Sequence, residues 1–344
     1  MTGKRNRNIF NALFLTAVFA VTMCSVFYNE DLGSIIGYIK SADSRYWLIG
    51  VIFVIIFIES ESVIIYYMFR SLGESVKLTH CCLYSFVGFF FCLVTPSATG
   101  GQPAQLYFMK KDGLSLTIST MVLVIVTITY KMVLVAVGII VFVLRPARIF
   151  YYLKPVMPWC VLGMVLNIIC ILVMLLFVFH PLFARNTATF IIYTASRLFN
   201  LKNSKKYIDK VSSAMDKYRD TAEYFSSHKF IIWNVFCITT FQRILLFAVT
   251  YITCLSFGTA SEGIVVITSL QVMISAAVDM LPLPGGMGIT EKLFKEIFTP
   301  LCGGSLVLPV MIVSRGLSYY TQLFISAVMS VVAYIKIIYR KGIQ

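Results

Sequence analysis

Charge is scarce in this chain. Only 13% of its 344 residues are Asp, Glu, Lys or Arg, about half the share of a soluble domain, while 59% are hydrophobic and mean hydropathy is +0.86. Histidine occurs three times, and no HExxH, GxSxG or P-loop pattern is present, so the common hydrolase, zinc-protease and NTPase signatures are missing. The nine cysteines form no CxxC or Cys/His ligand spacing and fall mostly inside apolar runs, which points to buried free thiols rather than disulfides, and no metal site is expected. A basic start (Lys4, Arg5, Arg7) precedes the first apolar run without a convincing small-residue cleavage site, so an uncleaved span is expected there.

What the chain has instead is apolar sequence in lengths that cross a hydrocarbon core of about 30 Å. Full spans are expected at 9–28, 46–69, 116–144, 159–180, 230–257 and 306–339. The net charge of +14 forms no stripe; it sits in short loops beside apolar spans, so anionic lipid is the expected contact and nucleic acid is not.

Two stretches, 80–109 and 263–299, are broken by glycine and proline. Placing both as hairpins that turn back inside the membrane, the first from the cytoplasm and the second from outside, leaves nineteen Lys/Arg in cytoplasmic segments and five outside. Sending the first straight across would move the nine Lys/Arg from Arg185 to Lys229 outside. Its first apolar arm, His80 to Val94, is also only about 22 Å long as a helix.

The expected fold is therefore an all-α polytopic membrane protein of eight membrane segments, six full spans and two re-entrant helical hairpins, with both termini cytoplasmic. The repeats would be 1–158 and 159–344, each reading span, span, hairpin, span and related by inversion, as in many transporters. Between them, 203–228 carries Ile208, Val211, Met215, Tyr218, Ala222 and Phe225 at helical spacing among charges, an amphipathic cytoplasmic helix on the membrane surface, with a soluble coiled-coil arm as the alternative.

The breaks are the first candidate site. Gly100 and Gly101 allow positive φ and close backbone approach, as do Gly285, Gly286 and Gly288, while Pro96, Pro103, Pro282 and Pro284 withdraw donors and stop helices. Unwound backbone at membrane depth belongs in protein or beside a wet cavity. Helices are expected from Gln102 and from Ile289, and their N-termini suit a phosphate or carboxylate. Intramembrane charges are the second set of suspects: Glu59, Glu61, Lys131, Arg243, Asp279, Glu291 and Arg315, with Lys292, Lys295 and Glu296 discounted as interfacial. Arg243 and Arg315 are the best phosphate partners because guanidinium binds two oxygens at once; an ion pair with Asp279 or Glu291 is the structural alternative.

TPSATGGQPAQLYFMKKDGLS, PLPGGMGITEKLF, SRGLSYY and YRDTAEYF together resemble the lysylphosphatidylglycerol synthase transmembrane family, the flippase-like part of the bacterial multiple peptide resistance factor, over nearly the whole chain. Glu291 and Arg315 match the family pattern, whereas Gln102 stands where many members carry Glu. The resemblance implies a bacterial cytoplasmic-membrane protein that translocates phospholipid without a cofactor, by analogy aminoacylated phosphatidylglycerol or another anionic or modified lipid. Its alternative is a phosphatidylglycerol lysyltransferase, or the membrane subunit of one, linked to resistance to cationic peptides. Full-length members add a cytoplasmic acyltransferase-like domain that the residues up to Gln344 do not contain, so translocation is the expectation. Expected partners are membrane phospholipid, a separate lipid aminoacyltransferase and further copies of the chain in a homo-oligomer.

Overall fold

The computed structural model describes residues 32–96, 98–180, 183, 187, 217–283 and 286–339. The expected first span, residues 203–216 of the amphipathic helix, and Pro284 and Gly285 of the second break lie outside them. Described secondary structure is helical: α1 (Leu32–Ser41), α2 (Arg45–Ser71), α3 (Leu78–Val94), α4 (Gly101–Asp112), α5 (Leu116–Leu144), α6 (Ala147–Leu153), α7 (Met157–Phe179), α8 (Lys229–Ser256), α9 (Gly263–Val278), α10 (Ile289–Cys302) and α11, which runs as one rod from Val307 to Tyr339.

Among the described residues, five helical stretches are long and apolar enough to cross a membrane: α2, α5, α6 continuing into α7, α8 and α11. Four of them begin and end within a few residues of the expected limits, whereas the α6–α7 stretch begins at Ala147, well before the expected 159. The short helices α1 and α6 were not expected. α3 and α9, at 17 and 16 residues, are too short to span as straight rods. The outward faces of α7 and α11 stay apolar and uncovered, with Leu172 60% and Phe324 72% exposed, as helices facing lipid do.

Each broken stretch is a helix pair. α4 runs back antiparallel along α3: Tyr84 bonds Asp112, Gln105 lies over Gly88, and Gly101 lies against Cys92. In the second pair α9 ends at Val278, the chain turns, and α10 packs back on it. The two pairs open toward opposite ends of the bundle. Cys81 and Met109 of the first join Phe69, Met121, Val178, Ile231 and Ile337 in a core at one end. Ile267 and Phe298 of the second join Val141, Cys160, Cys254 and Val307 at the other. The described part of the polar linker, 217–227, is helical and lays its stripe on the first of these ends, burying Ala222 and Phe225; Tyr218 donates to the Phe177 carbonyl (3.1 Å) and Tyr224 to the Ser71 carbonyl (2.6 Å).

The first break corrects two expectations. Gly100 has φ −82°, and Gly101 likewise lies outside the left-handed region; the residue with positive φ there is Ala98 (54°). The glycines serve close approach instead. A Cβ on Gly101 would collide with Cys92 Sγ and stand 2.8 Å from the Gly88 carbonyl, and one on Gly100 would stand 2.6 Å from Thr95 Cγ2. Pro103 opens a helix rather than stopping one, since it lies in the first turn of α4, where its missing N–H has no intrahelical acceptor to serve. In the second break Gly286 (66°) and Gly288 (87°) do use positive φ.

A polar centre at the tips of the broken helices

α2, α5, α7 and α8 each carry polar side chains near mid-length, and there the two hairpin tips meet them. From α2, buried Glu61 accepts from Gln105 Nε2 of α4 at 2.9 Å. Gln105 reaches it because Gly88 leaves room; a Cβ at Gly88 would overlap the Gln105 amide. Glu59, two residues earlier, turns away and accepts from the Cys82 thiol at 3.0 Å. Gln102 donates to Thr127 Oγ1 of α5.

α5 presents Tyr130 and Lys131. Lys131 Nζ donates to Asp279 Oδ2 at 2.6 Å and to Asn167 Oδ1 at 3.3 Å, and the Tyr130 hydroxyl donates to the other Asp279 oxygen. Asn167 of α7 completes the group by donating to the carbonyls of Gly163 (2.9 Å) and Ala276 (3.1 Å). Gly163 permits this contact: a Cβ there would run into the α9 backbone at Ala276 and Ala277. An ammonium removed from water is held only by a counter-charge and full hydrogen bonding, and both are present.

The two arginines have different fates. Arg315 Nη2 pairs with Glu291 Oε1 at 2.9 Å, while Glu291 Oε2 accepts from the Gly288 N–H at 2.6 Å. Glu291 thus caps α10 and neutralises Arg315 at once. The π-helical turn Gly316–Thr321 follows, and its Tyr319 hydroxyl donates to the Leu93 carbonyl (2.8 Å), joining this pair to the first hairpin. Such widened turns often sit at functional positions.

Arg243, midway along α8, has no ion pair or hydrogen bond among the described residues, and its buried Nε is unsatisfied. Its guanidinium stacks on the Tyr130 ring, 3.7 Å from the centroid, and lies 5.0 Å from that of Phe57. Its charge reaches the Glu61 carboxyl, and Cys92 at the first tip lies within electrostatic reach of Glu61, Arg243 and Asp279. The first tip, through the charge reach of Cys92, and the second, through Tyr130 and Asp279, are thus linked to one cation whose Nε donor is unused. Lys292 and Glu296 lie apart on α10 as a 3.9 Å pair.

Sequence reasoning missed Tyr130, Asn167, Gln105 and Tyr319. Asn167 left a signal, as the single amide in the otherwise apolar interior of α7. The others gave none, because their importance lies in contacts between helices distant in sequence.

A helical bundle with apolar outer faces and a buried polar centre built from broken helices defines the class: a multi-pass integral membrane protein. The lysylphosphatidylglycerol synthase TM region family model matches residues 9–326, and the chain belongs to that family. It is also similar to a UPF0104 membrane protein of Archaeoglobus fulgidus, 20% identical over 265 residues that cover 75% of this chain and 77% of the relative.

Proposed function

We propose that this protein is a flippase-like phospholipid translocase that receives an anionic or aminoacylated headgroup at Arg243. The unsatisfied, buried Arg243 Nε carries the reading. A guanidinium is costly to keep at membrane depth, and a phosphate would supply both the missing acceptors and the counter-charge. Opening of the two hairpins toward opposite ends of the bundle supports treating them as re-entrant elements of inverted halves, 1–158 and 159–344. Both termini would then face the cytoplasm of a bacterial cell. Arg315 and Glu291 hold the second tip on α11, and Lys131 and Asp279 hold it on α5.

Reconstitution into liposomes with labelled phosphatidylglycerol, lysyl-phosphatidylglycerol and isoprenoid phosphate tests the proposal. Label should cross faster than in empty vesicles for at least one of them, and Arg243→Ala should reduce that rate by ten-fold or more. Rates equal to empty vesicles for all would refute it. Aminoacylated lipid that appears only in cells expressing the chain, without translocation, would favour the lysyltransferase reading instead.

A further inference from the structure

Along α8, residues 229, 232, 236 and 243 lie on one stripe: seven residues is nearly two whole turns, so Phe236 and Arg243 share a face about 10 Å apart. Over the first part of that stripe lies a crevice of about 410 Å³ between α5, α7 and α8, neither sealed nor flat. Its walls are Met132, Phe179, Phe225, Trp233 and Phe236, almost wholly apolar, and Lys229 stands exposed at one end. Thr129 and Met132 face it from α5, while Tyr130 and Lys131 between them turn to the polar centre. The crevice thus begins at a cation at the bundle end and leads along α8 toward the Arg243 guanidinium at mid-depth, whose Nε lacks a hydrogen-bond partner among the described residues.

We infer that this crevice is a lateral entry slot for an anionic phospholipid, one acyl chain lying against Trp233 and Phe236 with its phosphate at Lys229. The inference rests on the translocase reading and adds a route of access to it. Size and chemistry agree: 410 Å³ falls within the range of lipid- and drug-sized sites, and apolar walls with one cation match an acyl chain joined to an anion. The surrounding helices α5, α7 and α8 are long and apolar enough to span a membrane, which makes lipid the solvent expected outside the slot.

Trp233 makes the slot observable. In a full-length chain with Trp47→Phe and Trp159→Phe, Trp233 is the remaining tryptophan, and its emission is quenched by lipids brominated on the acyl chain. Brominated phosphatidylglycerol should quench more effectively than brominated phosphatidylcholine at equal mole fraction, by about five-fold, the factor one lysine contributes at an anionic surface. Lys229→Gln should bring the ratio to about one, and Lys229→Arg should restore it. Equal quenching by the two lipids in the unsubstituted slot would overturn the inference, as would protection from both, which would mean that this chain or another protein covers the crevice. Headgroup-selective quenching without translocation would sustain the slot and sink the translocase reading; translocation without selective quenching would do the reverse.

Discussion

The Lys131–Asp279 pair joins α5 to the end of α9 across 148 residues of sequence, with side chains only 7% and 15% exposed. Lys131→Met would leave the Asp279 carboxylate with Tyr130 as its remaining donor among the contacts described. Removing one partner of a buried ion pair costs about 3–5 kcal/mol, most of it the penalty of the stranded charge. Asp279→Asn strands the ammonium at similar cost, leaving it neutral acceptors such as Asn167 Oδ1 at 3.3 Å and Met280 Sδ at 3.5 Å but no counter-charge. The double substitution leaves no stranded charge and should cost about 2 kcal/mol or less, giving a coupling energy of several kcal/mol. Buried Cys81, Cys160 and Cys254 provide the assay, because a thiol-reactive fluorophore reports their exposure as detergent-solubilised protein is heated. At about 2–4 °C per kcal/mol, either single variant should melt about 10 °C lower, and the double variant should recover at least half of that. Additive losses in the double variant would show that the two groups do not act as a pair, and the interhelical contact would have to be redrawn.

Three further outcomes follow from the same contacts. Arg243→Lys should keep the fold within about 1 kcal/mol in the same melting assay, since no ion pair is broken, yet slow lipid movement several-fold because an ammonium cannot make the fork-shaped contact; unchanged transport would count against Arg243 as the phosphate ligand. Gly101→Ala should destabilise by about 1–3 kcal/mol through overlap with Cys92 Sγ and the Gly88 carbonyl, and adding Cys92→Ala should return only part of it because the carbonyl remains; full rescue would place the contact on the sulfur alone. Glu291→Ala removes the cap of α10 and breaks the buried ion pair with Arg315, so a melting loss of about 3–5 kcal/mol is expected, whereas Lys292→Ala, which breaks only an exposed pair, should change stability by less than about 0.5 kcal/mol.

Hydropathy alone pointed to the five long apolar helices among the described residues, because a helix in lipid must hide its backbone polar groups within itself and must be long enough to reach water at both ends. Leu116 to Leu144 was read to the residue. The two breaks were visible for the same reason: proline and glycine inside apolar sequence leave few foldings that satisfy the backbone. Which charge pairs with which was not visible. Glu59 and Glu61 are two residues apart in the same apolar run, yet Glu61 meets Gln105 and Glu59 meets Cys82, a difference set by helix rotation against α3 and α4. Arg243 and Arg315 read alike as phosphate partners, and packing separated them by seating Glu291 on Arg315 and giving Asp279 to Lys131. The glycines at the first break announced a special backbone, but that their role is closeness to Cys92, Thr95 and Gly88 rather than positive φ depends on the antiparallel fit of α4 on α3. One-dimensional pattern determines what enters the membrane and where the chain must break, since both are local matters of solvation. The pairing of buried charges, and which one keeps its donors unused, is decided only when helices far apart in sequence are brought side by side.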